Sequence, residues 1–238
     1  MIYAIGDVHG QYDKLCRLLA KLDDAGIHSD DRIVFMGDYV DRGPDTSRVV
    51  ETLVRLAAAR PNTIFLRGNH EQMMLDARER FDSTFDADNS CGNTESGRYW
   101  FVEGGQETLN SYGPPEGRRW FELVPDEHWD FIRATKMEYE EGGYLFVHAG
   151  VVPAGRTWFM DGFKADPRLW IRYEFIASES EFDGRIVVFG HTPTRDGLPM
   201  IQRNKLAIDT GAGFGAPLTA VLLPQPYEPG KVVVFQAD

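Results

Sequence analysis

The chain has little of what membrane-spanning, disulfide-stapled or nucleic-acid-binding proteins need. Its two cysteines, Cys16 and Cys91, are too few for a disulfide framework, and no apolar run approaches the ~20 residues of a membrane span. The first residues lack the basic and long apolar segments of a secretion signal, which favours a cytoplasmic location. Only 25 Lys and Arg stand against 37 Asp and Glu, and the net charge of −12 repels phosphate backbones. We therefore expect neither a nucleic-acid partner nor a membrane partner.

What the chain does have is a repeated pattern in which a short apolar run stops at a polar cluster. Runs of this length without alternation are typical of strands that are buried on both faces. In open α/β sheets, ligands bind outside the carboxyl ends of the strands, so these clusters are expected to converge on one site. The runs are residues 1–5, 32–36, 63–66, 144–147 and 185–189.

The segments between these runs predict helices and a single domain. Leu15, Leu18 and Leu22 recur at helical spacing before Gly26, and Asp45 can cap a second apolar-faced helix. The order strand, helix, strand indicates an α/β domain that spans residues 1–238. Residues 71–141 break the pattern, and we interpret them as a helical insertion within this domain that overlies the site.

The polar clusters supply carboxylate, imidazole and amide ligands for metal. Six such side chains exceed what one tetrahedral ion uses, but they fit two ions about 3.5–4 Å apart if one carboxylate bridges them. Asp38 is the predicted bridge, because its cluster lies between the others in the chain. Imidazole with oxygen ligands and without thiolate is compatible with Mn²⁺, Fe or Zn²⁺, and Mn²⁺ is our first choice. The six side chains are Asp7, His9, Asp38, Asn69, His148 and His191.

A pair of metal ions turns water into hydroxide at neutral pH, which removes the need for a Ser or Cys nucleophile. Phosphoryl transfer also needs cations on the phosphate oxygens, and a guanidinium binds two oxygens at once. Arg42 and Arg172 are the candidates for this clamp. The leaving oxygen needs a proton, which His70 can donate if a carboxylate, predicted to be Asp41, holds it cationic.

The predicted ligands lie in five motifs, each of which follows a strand-like run. They are Gly6-Asp7-Val8-His9-Gly10, Gly37-Asp38-Tyr39-Val40-Asp41-Arg42-Gly43, Gly68-Asn69-His70-Glu71, His148-Ala149-Gly150 and Gly190-His191-Thr192. One such motif is weak evidence, but five in this order are specific. In order, they resemble the motifs of the calcineurin-like metallophosphoesterase superfamily. The nearest resemblance is to its phosphoprotein phosphatase family of serine/threonine phosphatases, in the compact form of bacteria and bacteriophage lambda.

The resemblance implies a four-layer sandwich of two mixed β-sheets flanked by helices, with the site at one edge. This differs from the single open sheet that the strand order alone suggests. It implies one metal ion held by Asp7, His9 and Asp38, and a second held by ligands that share Asp38. The ligands of the second ion would be Asp38, Asn69, His148 and His191.

The resemblance also implies roles around the metals. His70 and Asp41 would serve the leaving group, and Arg42 and Arg172 would grip phosphate together with Asn69. The expected reaction is direct attack of metal-bound hydroxide on phosphoserine or phosphothreonine in a protein or peptide, with phosphotyrosine as a further substrate. Residues 211–217 lack the tyrosine-containing loop of eukaryotic members.

Two other functions stay open. A hydrolase of dinucleoside polyphosphates, such as diadenosine tetraphosphate, would use the same metal site; Glu71 favours the protein phosphatases, because the symmetrical tetraphosphatases carry Asp at that position. A catalytically inactive scaffold would need neither the complete ligand set nor both arginines. The oligomeric state, the natural substrate and any regulator are not predicted.

Two histidines and three tryptophans lie outside the motifs. We interpret His28 and His128 as surface residues, and Trp100, Trp120 and Trp129 as core residues.

Overall fold

The computed structural model describes residues 1–79, 95–114, 119–160 and 165–238. Cys91 lies outside these residues, so the expected absence of a disulfide is untested. No described helix is long and apolar enough to cross a membrane. The described strands and helices are, in chain order, β1 (Ile2–Ile5), α1 (Tyr12–Asp24), β2 (Arg32–Phe35), α2 (Thr46–Ala59), β3 (Thr63–Phe65), α3 (Asn69–Glu79), α4 (Glu95–Trp100), α5 (Gln106–Tyr112), α6 (Asp126–Ala134), β4 (Glu138–Glu141), β5 (Tyr144–Val147), α7 (Pro167–Trp170), α8 (Tyr173–Ile176), β6 (Ile186–Phe189), β7 (Met200–Ile201), β8 (Lys205–Ala207), β9 (Leu218–Leu223) and β10 (Val233–Ala237).

The strands form two mixed sheets of five strands each. The first has the order β10-β9-β1-β2-β3, in which β1, β2 and β3 are parallel and β9 runs antiparallel to both of its neighbours. The second has the order β4-β5-β6-β8-β7, in which β5, β6 and β8 are parallel and the two edge strands are antiparallel. The five predicted runs are confirmed as β1, β2, β3, β5 and β6, each to within one residue at either end.

Three apolar cores make the molecule a four-layer sandwich. Alternate residues of each strand point to opposite faces, so in β1 Ile2 and Ala4 pack between the sheets, whereas Tyr3 and Ile5 pack under the first helical layer. On the far side of the second sheet, Phe189 shares a core with Phe175 of α8. The predicted fold of two mixed sheets flanked by helices is confirmed, and the single open sheet is excluded.

The helices follow their apolar spacing. Buried Leu15, Leu18 and Leu22 form one face of α1, because residues three and four apart lie on the same side of a helix. Asp45 precedes α2 as predicted, but its side chain makes no capping hydrogen bond.

Most of the described 71–141 segment is helical and joins the first helical layer, but its last four residues form β4 at the edge of the second sheet, which the predicted helical insertion did not include. Met73, Trp100, Leu109 and Trp129 lie in the same core as α1 and α2, which confirms that the tryptophans are core residues. The π-helical turn Phe101–Gly105 lies beside Arg42, because the amide of Arg42 donates a hydrogen bond to the carbonyl of Gly104 at 3.2 Å.

Candidate metal centre

The ends of five parallel strands bring all six predicted ligands to one edge of the sandwich. β1, β2 and β3 end in the first sheet where β5 and β6 end in the second, and polar side chains follow each of them. A chain of contacts of 2.8–3.4 Å then connects the six predicted ligands, in which Asp7 is reached through the backbone amide of His191. These side chains are Asp7, His9, Asp38, Asn69, His148 and His191.

Asp38 lies at the centre of this arrangement. Its Oδ2 is 3.4 Å from Nε2 of His9 on one side and 3.4 Å from Nε2 of His148 on the other. Its Oδ1 accepts a hydrogen bond from the amide of His70 at 3.1 Å. One carboxylate oxygen thus faces both sets of ligands, as a bridge between two ions requires.

Asn69 lies between the two histidines of the second ligand group, His148 and His191. Its Oδ1 is 3.0 Å from Nε2 of His148 and 2.8 Å from Nδ1 of His191. The amide of His191 donates to Oδ2 of Asp7 at 2.9 Å. Two groups of potential metal ligands, with atoms within 4.8 Å of one another, share Asp38: one with His9 and His70, the other with His148 and His191. Asp7 lies outside both groups.

The donor set fits divalent metal. Oδ1 of Asp7 and Nε2 of His191 are each buried without a hydrogen-bond partner, which is costly unless a ligand such as a cation meets them. Nδ1 of His9 and of His148 lie 2.9 and 2.8 Å from backbone carbonyls. Because a carbonyl can only accept, Nδ1 carries the proton in both rings, and each Nε2 keeps a lone pair directed into the site.

Close backbone approach explains two of the glycines in the motifs. A Cβ on Gly68 would lie 2.0 Å from Oδ1 of Asp38, and one on Gly190 would lie 2.0 Å from Oδ1 of Asp7. The ligand-bearing loops are also strained, since several non-glycine residues adopt a positive φ, and such strain clusters at functional sites. These residues are His9, Asp38, Asp41, Arg42 and His191.

In the sequence analysis, Glu71 served only to distinguish between candidate substrates. In the structure, it holds the loop that carries Asp38. Its fully buried carboxylate accepts four backbone hydrogen bonds, from the amides of Asp38, Tyr39, Val40 and Gly68, at 2.7–3.2 Å. Burial, with the charge of Asp38, raises the pKa of Glu71 to about 7. Its place in the same motif as Asn69 and His70 was the only feature of the sequence that pointed to this role.

His70 and Asp41 form the predicted pair. Nδ1 of His70 is 2.7 Å from Oδ2 of Asp41, and both side chains are buried. Burial alone would lower the pKa of His70, but the carboxylates of Asp38 and Asp41 outweigh it and raise the pKa. Asp41 also accepts from Nε1 of Trp100 at 2.9 Å and from Oγ1 of Thr108 at 2.6 Å, two partners that the sequence did not reveal.

The two arginines lie on different sides of the ligands. Nη1 of Arg42 is 2.5 Å from Nε2 of His9, and its guanidinium carbon is 4.7 Å from the ring centroid of Phe214. Nη1 of Arg172 donates to the carbonyl of His191 at 2.9 Å. Both therefore border the site, as their predicted role as a phosphate clamp requires.

Several carboxyl groups are buried together at the site. Burial raises the pKa of Asp7 well above its ordinary value, and Asp209 and Asp38 add to this rise. Burial also raises the pKa of Asp209 to about 6. Asp209 was missed in the sequence analysis, although it lies just after β8, as the predicted ligands lie just after their own strands. Burial would raise the pKa of Asp38 too, but the surrounding histidines lower it well below its ordinary value. Divalent cations would stabilise such a cluster.

His128 corrects one interpretation of the sequence, because it is not on the surface. Its side chain is buried, with Nδ1 2.8 Å from the hydroxyl of Tyr112 and Nε2 3.1 Å from Glu51. It connects α6 to α5 and α2. A polar helical sequence did not reveal this, since its partners lie on other helices.

Two curated proteins are similar to the chain over most of its length. It is 29% identical over 233 residues to serine/threonine-protein phosphatase 1 of Salmonella typhimurium, covering 92% of this chain and 89% of that protein. It is 26% identical over 246 residues to the asymmetrical bis(5'-nucleosyl)-tetraphosphatase PrpE of Anoxybacillus flavithermus, covering 94% and 91%.

The fold is shared with a solved structure and with a family model. The structure of a cold-active protein-tyrosine phosphatase of a psychrophilic Shewanella matches with a TM-score of 0.58 at 21% identity, over 99% of this chain and 80% of that one. The family model for calcineurin-like phosphoesterases matches residues 1–198. With these motifs, this sandwich and this cluster of ligands, the chain belongs to the calcineurin-like phosphoesterase family.

Proposed function

We propose that the protein is a metal-dependent phosphomonoesterase that acts on phosphoserine and phosphothreonine in proteins or peptides, and also on phosphotyrosine. One observation carries the proposal: a single carboxylate oxygen, Oδ2 of Asp38, faces histidines of both ligand groups at 3.4 Å. This is the arrangement that a two-metal phosphoesterase needs. Mn²⁺ is the first choice of metal, with Fe or Zn²⁺ as alternatives.

The residues around Asp38 would hold the ions in two sets. Asp7, His9 and Asp38 would bind one ion, as the resemblance to the family implies, and the buried oxygen of Asp7 without a hydrogen-bond partner is available to bind it. The second ion would share Asp38. When bound, the two ions supply an activated water and offset charge on the phosphate. The ligands of the second ion would be Asp38, Asn69, His148 and His191.

The protein's own groups would orient the phosphate and deliver a proton. Arg42 and Arg172 border the ligands on different sides and can hold the phosphate oxygens between them, while the amide of Asn69 supports the same phosphate. His70 would protonate the leaving oxygen, and its contact with Asp41 keeps the ring cationic and fixes its orientation.

The His70–Asp41 pair favours a basic leaving group. The alkoxide of serine or threonine is strongly basic and leaves only with a proton, whereas the nucleotide that leaves a dinucleoside polyphosphate is a stable anion without one. A buried His–carboxylate pair, with two further donors on the carboxylate, is of most use in the first case. This supports a phosphoprotein substrate.

A second candidate is hydrolysis of dinucleoside polyphosphates, favoured by the similarity to the asymmetrical tetraphosphatase PrpE. The same ligands and arginines would serve it. The cytoplasmic location and the lack of nucleic-acid and membrane partners stay predictions from the sequence, as do the individual site roles and the single-domain division with its 71–141 insertion.

Two measurements test the proposal. A chelator should abolish turnover of p-nitrophenyl phosphate and Mn²⁺ should restore it; activity that survives complete metal removal contradicts the metal mechanism. The kcat/KM for phosphoserine peptides and for diadenosine tetraphosphate, each with Mn²⁺, then separates the two enzymes. A larger value for the dinucleotide selects the second candidate, and no turnover of any phosphoester selects the inactive scaffold.

A further inference from the structure

A cavity of about 360 Å³ opens directly beside the candidate phosphate clamp. We call it the Arg42 cavity. One wall is the π-helical turn Phe101–Gly105 with the start of α5, and the other is the loop that follows β8. It is lined by Arg42, Val102, Glu103, Gly104, Glu107, Gly213 and Phe214.

Arg42 connects the cavity to the metal centre. Nη1 of this arginine reaches His9 at 2.5 Å, while its guanidinium lies over the ring of Phe214. A ligand whose phosphate is held by Arg42 therefore projects its neighbouring group into this space. The proposed reaction uses none of the other residues that line the cavity.

The wall that carries Phe214 is held firmly in place. Gly213 packs against His9 so closely that a Cβ would lie 2.9 Å from the ring, and Lys14 donates from Nζ to the carbonyl of Ala216 at 2.6 Å. The amide of Phe214 donates to the carbonyl of Gly211 at 2.9 Å. The ring is nevertheless 67% exposed, so a rigid loop presents it to solvent.

The cavity combines apolar surface with two carboxylates, beside the guanidinium of Arg42 that would hold the phosphate. Val102 is 80% exposed opposite this loop, and the two exposed apolar side chains can cover the stem of a long side chain. Glu103 and Glu107 are half-buried, and no ion pair within the described residues involves either of them. They favour a cation in the cavity and oppose the additional phosphates of a dinucleoside polyphosphate.

We propose that the Arg42 cavity is a specificity subsite for a lysine or arginine next to the phosphoserine or phosphothreonine of a peptide substrate. The aliphatic stem would lie against Phe214 and Val102, and the cationic end would pair with Glu103 and Glu107. This inference rests on the proposed phosphatase activity and names its substrate class.

The test compares phosphoserine peptides that differ only in the residue beside the phosphoserine: lysine, uncharged norleucine or glutamate. For the unchanged protein with Mn²⁺, kcat/KM should be about three- to tenfold higher for lysine than for norleucine, as two partly exposed ion pairs allow, and lowest for glutamate. In the double variant E103Q/E107Q, the lysine-to-norleucine ratio should fall to about one. The matched control D126N/E127Q removes two exposed charges that do not line the cavity, and it should keep the ratio.

A second variant separates apolar contact from charge. Phe214→Ala should lower kcat/KM for the lysine and norleucine peptides by the same factor and leave their ratio unchanged. Phe159→Ala, which removes a more exposed ring outside the cavity, should change neither. Thermal unfolding of each variant establishes that it is folded.

The outcomes distinguish this inference from the function on which it rests. A lysine-to-norleucine ratio of one in the unchanged protein, or a ratio that E103Q/E107Q leaves intact, overturns the subsite while peptide turnover upholds the phosphatase. The subsite is also overturned if the protein prefers diadenosine tetraphosphate and Phe214→Ala reduces that preference, because the ring would then contact a nucleobase. Absence of turnover with every phosphoester overturns the proposed function itself.

Discussion

Replacement of Glu71 by glutamine should damage metal binding far more than folding. One of the two carboxylate oxygens becomes an NH₂ group, which cannot accept the hydrogen bonds that Oε1 or Oε2 now receives. If Oε2 is the oxygen replaced, the amides of Asp38 and Gly68 lose their acceptor. Each buried N–H left unpaired costs about 1–3 kcal/mol, so the two together lower the free energy of unfolding by about 2–6 kcal/mol.

A second effect opposes this loss of folding stability. Burial, together with the charge of Asp38, raises the pKa of Glu71 from 4.5 to about 7, so the ionised carboxylate destabilises the folded state as the pH rises from about 4.5 to 7. Above pH 7 the full penalty is about 3 kcal/mol, and the neutral glutamine avoids it. The free energy of unfolding should therefore fall by no more than about 3 kcal/mol, from the difference of these two effects.

The damage should instead appear at Asp38, whose strained backbone, with a φ of 52°, is held by these hydrogen bonds. Loss of a residue that orients a metal ligand typically costs about 10–100-fold in metal affinity. We expect the Mn²⁺ concentration for half-maximal hydrolysis of p-nitrophenyl phosphate to rise by about that factor in Glu71→Gln.

The control is Glu51→Gln, which removes the negative charge beside buried His128 in the helical layer and touches no predicted ligand. It should lower the melting temperature without moving the Mn²⁺ midpoint. An unchanged Mn²⁺ midpoint in folded Glu71→Gln would refute the reasoning, since Asp38 would then hold its position without the carboxylate.

Three further changes test other parts of the site. His70→Asn should lower kcat for phosphoserine peptides by about 10²–10⁴ but less for p-nitrophenyl phosphate, whose leaving group needs no proton; equal losses on both substrates would count against an acid role. Gly190→Ala places a methyl group 2.0 Å from Oδ1 of Asp7 and should weaken Mn²⁺ binding, measured by calorimetry, whereas Gly230→Ala, with open space around it, should not. Trp100→Phe removes one donor to Asp41 and should lower kcat for phosphoserine peptides more than for p-nitrophenyl phosphate, a difference that a purely structural tryptophan would not produce.

The strands and the ligand types could be predicted from the sequence, because both depend on local pattern. A run such as residues 144–147, apolar at every position, is buried on both faces wherever it lies, and β5 bears this out. The polar cluster after each run marks the strand end. Since parallel strands of one sheet end at a common edge, the convergence of Asp7 and Asp38 follows without coordinates, whereas His148 joins them only because the second sheet packs against the first.

Contacts between distant parts of the chain could not be predicted in the same way. Trp100 donates to Asp41 across 59 positions, and His128 is buried by Glu51 across 77. No local pattern distinguishes these residues from ordinary core or surface residues. The same holds for Phe214, whose exposure beside Arg42 depends on how a loop after β8 packs against the end of β2.

The sequence alone therefore determined which elements form and which residue types stand at their ends, because hydrophobic periodicity and turn chemistry act over a few residues. Only the tertiary structure decided that two sheets face each other, that Glu71 holds the loop of Asp38, and that a charged cavity opens beside Arg42. These features arise where elements far apart in the chain pack together, and the packing selects partners that no single segment specifies.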